Sequence, residues 1–118
     1  MERIIEMHRN FHLWHYTASY SQLLLRSVDV TRYDTRIDVL FSNVELIHLE
    51  PDMERLSIDR LTLAEARELL PDSHDPNHGS VFLVNDGQGY VHASHCRWHE
   101  DEGGPHSPSR FGPLRGTE

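Results

Sequence analysis

Arg32-Tyr-Asp-Thr-Arg-Ile-Asp-Val39 is the stretch that decides the fold class. Charged residues at 32, 34, 36 and 38 alternate with Tyr33, Thr35, Ile37 and Val39. Side chains on a strand point to opposite faces in turn, so period two with charge on one side predicts a half-exposed strand. The four charges alternate in sign, and the expectation is a solvated face with weak ion pairs. Leu40-Phe41 breaks the alternation, which places a bulge or tight turn near Ser42-Asn43.

Further strands are expected on both sides of this stretch. Leu23-Leu24-Leu25 centres a short apolar run over 22–28, the length of a buried strand. Val44 to Leu49 and Leu56 to Leu61 read as two more strands, separated by Pro51-Asp52. Val81–Val84, Asn85-Asp-Gly-Gln-Gly89 and Tyr90–Ala93 read as a β-hairpin with a five-residue turn. Between them, Thr62-Leu-Ala-Glu65 is a capping box that opens a short helix, and Pro71 stops it. Residues 72–79 are loop by composition. The first sixteen residues are ambiguous. Ile4, Met7, Phe11 and Trp14 recur at helical spacing, whereas Phe11 to Tyr16 has strand composition. A short helix followed by a strand from about Phe11 accommodates both. The expected fold is α+β: a mostly antiparallel β-sheet with one or two short helices, in a single domain over 1–100. Residues 101–118, rich in Gly, Pro and Ser, are expected to form a flexible tail.

Composition bounds the function. The chain has 118 residues, enough for one domain that buries about 65% of its unfolded surface. It carries 11 basic and 19 acidic residues, for a formal charge of −8, so no basic footprint for nucleic acid is present. All the basic residues are arginine; the absence of lysine excludes Schiff-base and phosphate-loop lysine chemistry. The lone Cys96 excludes an intramolecular disulfide. With no apolar signal core and no apolar run of the ~18 residues that span a bilayer, no membrane association and a cytoplasmic location are expected.

Ten histidines are the candidates for chemistry. His92-Ala-Ser-His95-Cys96-Arg-Trp-His99 supplies three imidazoles and a thiol, all zinc-ligand types, and four ligands fill a tetrahedral site. On a helix the four would share a face; on a strand His92 and Cys96 would point away from His95 and His99. His8, His12 and His15 form a second group beside the N-terminal apolar residues. His74 and His78 flank Asp72 and Asp75 in the 72–79 loop, where histidine and carboxylate can bind metal or move protons. There is no nucleophile elbow, and the 85–89 turn precedes a strand rather than a helix, so it is not a phosphate loop.

Trp14-His-Tyr-Thr-Ala-Ser-Tyr-Ser-Gln-Leu-Leu-Leu-Arg-Ser27, followed by Arg36-Ile-Asp-Val-Leu-Phe41, resembles a group of small bacterial proteins with no known activity. The likeness covers about a quarter of the chain. It implies a bacterial origin and strands over 11–27, and it transfers no catalytic residue.

The leading functional expectation is a non-enzymatic acidic domain of adaptor or toxin-neutralising type. It would bind another protein, with acidity steering a basic partner, and Arg26 or the Arg32/Arg36 face is its candidate surface. The alternative is a structural or sensory zinc protein centred on His92, His95, Cys96 and His99. A third reading is a metal-dependent hydrolase with Glu100 or Asp101 as base. In the leading reading no cofactor is needed; the alternative uses zinc, and the hydrolase reading needs a metal ion.

Overall fold

A computed structural model describes residues 1–19, 21–105, 109 and 111. It contains ten strands: β1 (Glu2–Met7), β2 (Phe11–Thr17), β3 (Gln22–Ser27), β4 (Arg36–Ser42), β5 (Leu46–His48), β6 (Asp52–Met53), β7 (Leu56–Arg60), β8 (Ser80–Val84), β9 (Gly89–Ala93) and β10 (His95–Asp101). One helix, α1 (Leu63–Leu69), and a single 3-10 turn over Asn85–Gly87 complete the described elements. The molecule is therefore mostly antiparallel β-sheet with one short helix, as the sequence predicts. No helix among the described residues is long and apolar enough to cross a membrane.

The strands form two five-stranded sheets, β1-β7-β8-β9-β5 and β10-β4-β3-β2-β6. All pairings among the described strands are antiparallel. The sheets share their chain at both sides. On one side β4 runs through Asn43 into β5 while its partner β9 runs through Ser94 into β10. The pairs Ser42–His95 and Leu46–His92 bracket this corner, so residues 43–45 oppose only 93 and 94. One extra residue of this kind is a bulge, the usual means of turning a strand from one sheet to the next. Asn43 has φ +54, a conformation asparagine tolerates better than most residues. On the other side β1 passes into β2 opposite β6 and β7.

The N-terminal helix expectation is corrected: residues 2–7 are strand β1. The pairing shifts register between Arg3 and Ile5, and that of β2 shifts between Leu13 and His15. Each irregularity adds a residue to the apolar spacing, so two bulged strands imitate a helical 3,4,3 pattern.

Between the sheets lies one apolar cluster, including Phe11, Leu23, Leu25, Val39, Phe41, Leu56, Ile58 and Val91, all fully buried or nearly so. Phe41 and Phe82 meet edge to face with centroids 5.6 Å apart. The outer faces are also covered. Helix α1 and the 71–79 loop lie over the first sheet, where Ala66 and Leu70 pack on Val81, Leu46 and Tyr90. Thr62 caps α1 by accepting the Glu65 N–H, and Glu65 reciprocates, so the capping box forms as read.

The solvated-face expectation for 32–38 is overturned. Arg32 and Asp34 lie outside β4, while Arg36 and Asp38 are 2% and 1% exposed. Alternation correctly put them on the face opposite Ile37 and Val39. On that face Gly104 and Pro105 accept from Arg36 and Arg26, Ser109 donates to Asp38, and Phe111 packs on Leu24 and Leu40. Residues 106–108, 110 and 112–118, the greater part of the expected flexible tail, lie outside the described residues. β10 itself extends to Asp101.

Candidate metal centre

His92 stands on β9 between two neighbouring strands, opposite Leu46 of β5 and Val81 of β8. Its ring shares the outer face of the first sheet with Tyr90, and the 71–79 loop closes over it until none of it is exposed. The loop is fixed from three directions. Arg67 of α1 donates to Asn77 Oδ1 at 2.9 Å, and Asp75 accepts the Asn77 N–H at 3.1 Å in an Asx turn. Gly79 turns the chain at φ +69, and a Cβ there would lie 2.5 Å from the Ala93 carbonyl oxygen. Only glycine lets the loop press this closely on the end of β9.

This seating brings two loop groups to the ring of His92. The His78 carbonyl accepts a hydrogen bond from His92 Nε2. His74 Nε2 lies 2.6 Å from His92 Nδ1, with the rings edge to face at 84°. From the opposite side, the bulged corner aims Glu45 at the same nitrogen, with Oε2 at 3.2 Å from His92 Nδ1. The Glu45 backbone N–H donates to the His92 carbonyl at 2.8 Å, which fixes the approach. Among the described residues, Glu45, His74 and His92 are the group whose ligating atoms all lie within 4.8 Å of one another.

The hydrogen bond to the His78 carbonyl decides the chemistry. It places a proton on His92 Nε2, so in the neutral tautomer Nδ1 carries a lone pair. That lone pair faces a carboxylate oxygen and a second imidazole nitrogen. In one His74 tautomer its Nε2–H donates to that lone pair; in the other its Nε2 presents a lone pair of its own, and a cation among the three atoms would then relieve their repulsion. An imidazole whose far N–H is held by a backbone carbonyl is the usual outer arrangement of a metal-ligating histidine. Two histidines and a glutamate match a known zinc ligand set, which leaves a fourth position for water. Around zinc, tetrahedral ligands at ~2.0–2.1 Å sit about 3.3 Å apart. The His92–Glu45 separation already fits. His74 would draw back by about 0.7 Å, and its place on a loop permits that.

The expected four-residue cluster does not converge. His92 belongs to the first sheet, whereas His95, Cys96 and His99 lie on β10 of the second, beyond the corner at Ser94. Cys96 faces the intersheet core, where burial pushes its thiol up to about 12, far from the thiolate a metal needs. His95 and His99 are not in the ligand group. The acids expected to serve a hydrolase are likewise elsewhere: Glu100 accepts from Thr35 Oγ1 at 2.6 Å, and Asp101 is gripped by Arg36. The Arg36 hydrogen bonds hold the Asp101 carboxyl below its usual range. In the N-terminal group, His12 pairs with Asp52 at 2.6 Å, and neither His8 nor His15 joins it in a ligand group.

Two of the histidine groups read from the sequence thus contribute one ligand each, His92 and His74. Glu45 was missed, because its only sequence signal is membership of the 44–49 strand; the bulge that aims it arises from pairing with β9. No protein-family model matches this chain, and neither a curated protein nor a solved structure matches it.

Proposed function

We propose that the protein is a zinc-binding domain of structural or sensory type, with Glu45, His74 and His92 as its protein ligands. The observation that supports this reading is that their three ligating atoms lie within 4.8 Å of one another, with the far nitrogen of His92 already committed to the His78 carbonyl. Zinc there joins the 71–79 loop to the sheet corner, so metal binding and loop position become one equilibrium. The group's single carboxylate, Glu45, serves as a ligand in this reading. A reducing cytoplasm suits a chain whose one thiol is free.

Calorimetric titration of the full chain with zinc at pH 7.5 tests the reading. One zinc per chain is expected, with affinity reduced at least tenfold by His74→Ala and by Glu45→Gln. His95→Ala and His99→Ala should bind as the parent does. Unchanged affinity in His74→Ala or Glu45→Gln, or loss in His95→Ala, overturns it.

A further inference from the structure

The two sheets end in the edge strands β1, β5, β6 and β10, and the first three are guarded. β5 has three residues and β6 two, and β1 shifts register between Arg3 and Ile5. Shortness and bulges are ordinary means by which an edge avoids pairing with another chain. β10 has neither. Its seven residues run in unbroken register along β4, from His95 opposite Ser42 to Asp101 opposite Arg36. Among the described residues no second strand and no turn bonds to its far side. Alternate residues of such a strand turn their N–H and C=O groups outward, as a template for a further strand.

Free charge does not guard this edge either. Asp101 is held by Arg36 at 2.8 and 3.0 Å. Glu100 accepts from Thr35 Oγ1 at 2.6 Å, with Arg9 Nη1 at 3.9 Å. The Arg97 guanidinium lies over the Phe111 ring, 5.1 Å from its centroid. Each Arg, Asp and Glu of the strand is thus engaged by its own chain. Trp98 stands opposite Val39 and so on the core side of the sheet, yet 50% of it is exposed because no further strand flanks it.

We propose that β10 is the edge through which two copies of this chain associate, pairing antiparallel about a twofold axis at Trp98. The order of its residues makes the strand complementary to itself. In that register the whole of 95–101 pairs, and each contact occurs twice, as a twofold interface requires. Trp98 meets Trp98 of the partner subunit on the core side, an aromatic cross-strand pair. On the outer side His95 faces the partner's Asp101 and Arg97 the partner's His99, so no two arginines and no two carboxylates are opposed. Sliding the strands by two residues sets Arg97 against Arg97 of the partner subunit in one direction and Trp98 against the partner's Glu100 in the other. Either slide shortens the paired stretch, and a slip of one residue sets the core side of one sheet against the outer side of the other. Pairing joins the second sheets of both copies into one and covers the Trp98 rings. One strand from each copy makes a small interface, so the association is reversible. This inference is independent of the zinc centre.

Sedimentation equilibrium of the full chain at pH 7.5, with a chelator so that metal does not bridge copies, tests it. A monomer–dimer equilibrium is expected, and Trp98→Arg should weaken it at least tenfold by setting two cations against each other. Amide resonances of the isotope-labelled parent chain should shift with concentration along 95–101 and not along the β1 or β5 edges. Thermal melts show whether Trp98→Arg is folded; should it unfold, the amide map of the parent decides alone. A chain that stays monomeric up to ~1 mM overturns the inference. So does a dimer that a folded Trp98→Arg chain still forms with the parent's affinity, or one whose shifts map to another edge.

Discussion

Arg26 and Asp38 face each other across β3 and β4 and share two hydrogen bonds, at 2.7 and 3.1 Å, with both side chains almost wholly shielded from water. Burying two charges costs several kcal/mol each, recovered only when geometry is good and the remaining hydrogen-bonding atoms find partners. Here they do. Asp38 Oδ2 also accepts from Ser109, and Arg26 Nη1 donates to Pro105. The Trp14 ring lies 5.1 Å from the Arg26 guanidinium.

Removing one partner should therefore cost far more than a surface ion pair would. Asp38→Ala leaves Arg26 buried without its carboxylate and should destabilise the fold by about 3–5 kcal/mol in urea denaturation. A loss of about 1 kcal/mol or less, typical of exposed pairs, would show that water reaches this face.

Gly79→Ala places a methyl against the Ala93 carbonyl in a left-handed backbone conformation. The loop should lift from His92, with a stability loss of about 1–3 kcal/mol. Zinc affinity should fall with it, because His74 rides on this loop. A Gly79→Ala chain that binds zinc as the parent does would separate the loop from the site.

Acid should titrate the helix cap. The Thr62 backbone N–H, with the N-terminal amine, lowers the Glu65 carboxyl from 4.5 to about 2. A carboxylate with a depressed folded-state value stabilises above its unfolded value and loses that contribution as pH falls through the folded one. The contribution is thus complete above about pH 4.5 and gone below about pH 2. Glu65→Gln should flatten the stability profile in that window only. An unchanged acid limb, measured by thermal melts from pH 6 to pH 2, would remove the capping box from the account.

Cys96 should resist alkylation. Its thiol faces the intersheet core and is pushed up to about 12 by burial, so the reactive thiolate is scarce at pH 8. Iodoacetamide should modify it at a rate set by unfolding, rising sharply in urea. Fast modification of the folded chain would contradict its placement.

Legibility followed the range of the interactions. The capping box Thr62–Glu65 and the hairpin are local; the box formed as read, and the hairpin formed with a turn one residue shorter, because Gly89 already pairs with Val84. The alternation at Arg36–Val39 was also legible, but period two reports which residues share a face, not whether that face is covered. The partners of Arg36 and Asp38 on that face include Gly104 and Ser109, from a stretch whose composition signals loop. The same limit hid the metal centre. His74 and His92 are eighteen residues apart, and Glu45 lies in the corner between β4 and β5. Only the Gly79 turn and the bulge at 43–45 bring the three together, and neither carries a periodicity.

X-ray absorption at the zinc edge of the one-to-one complex tests the central claim most directly. Ligation by Glu45, His74 and His92 predicts a first shell of nitrogen and oxygen at ~2.0–2.1 Å with two imidazole signatures and no sulfur. A zinc–sulfur distance of ~2.3 Å would place the metal at Cys96 and contradict the account.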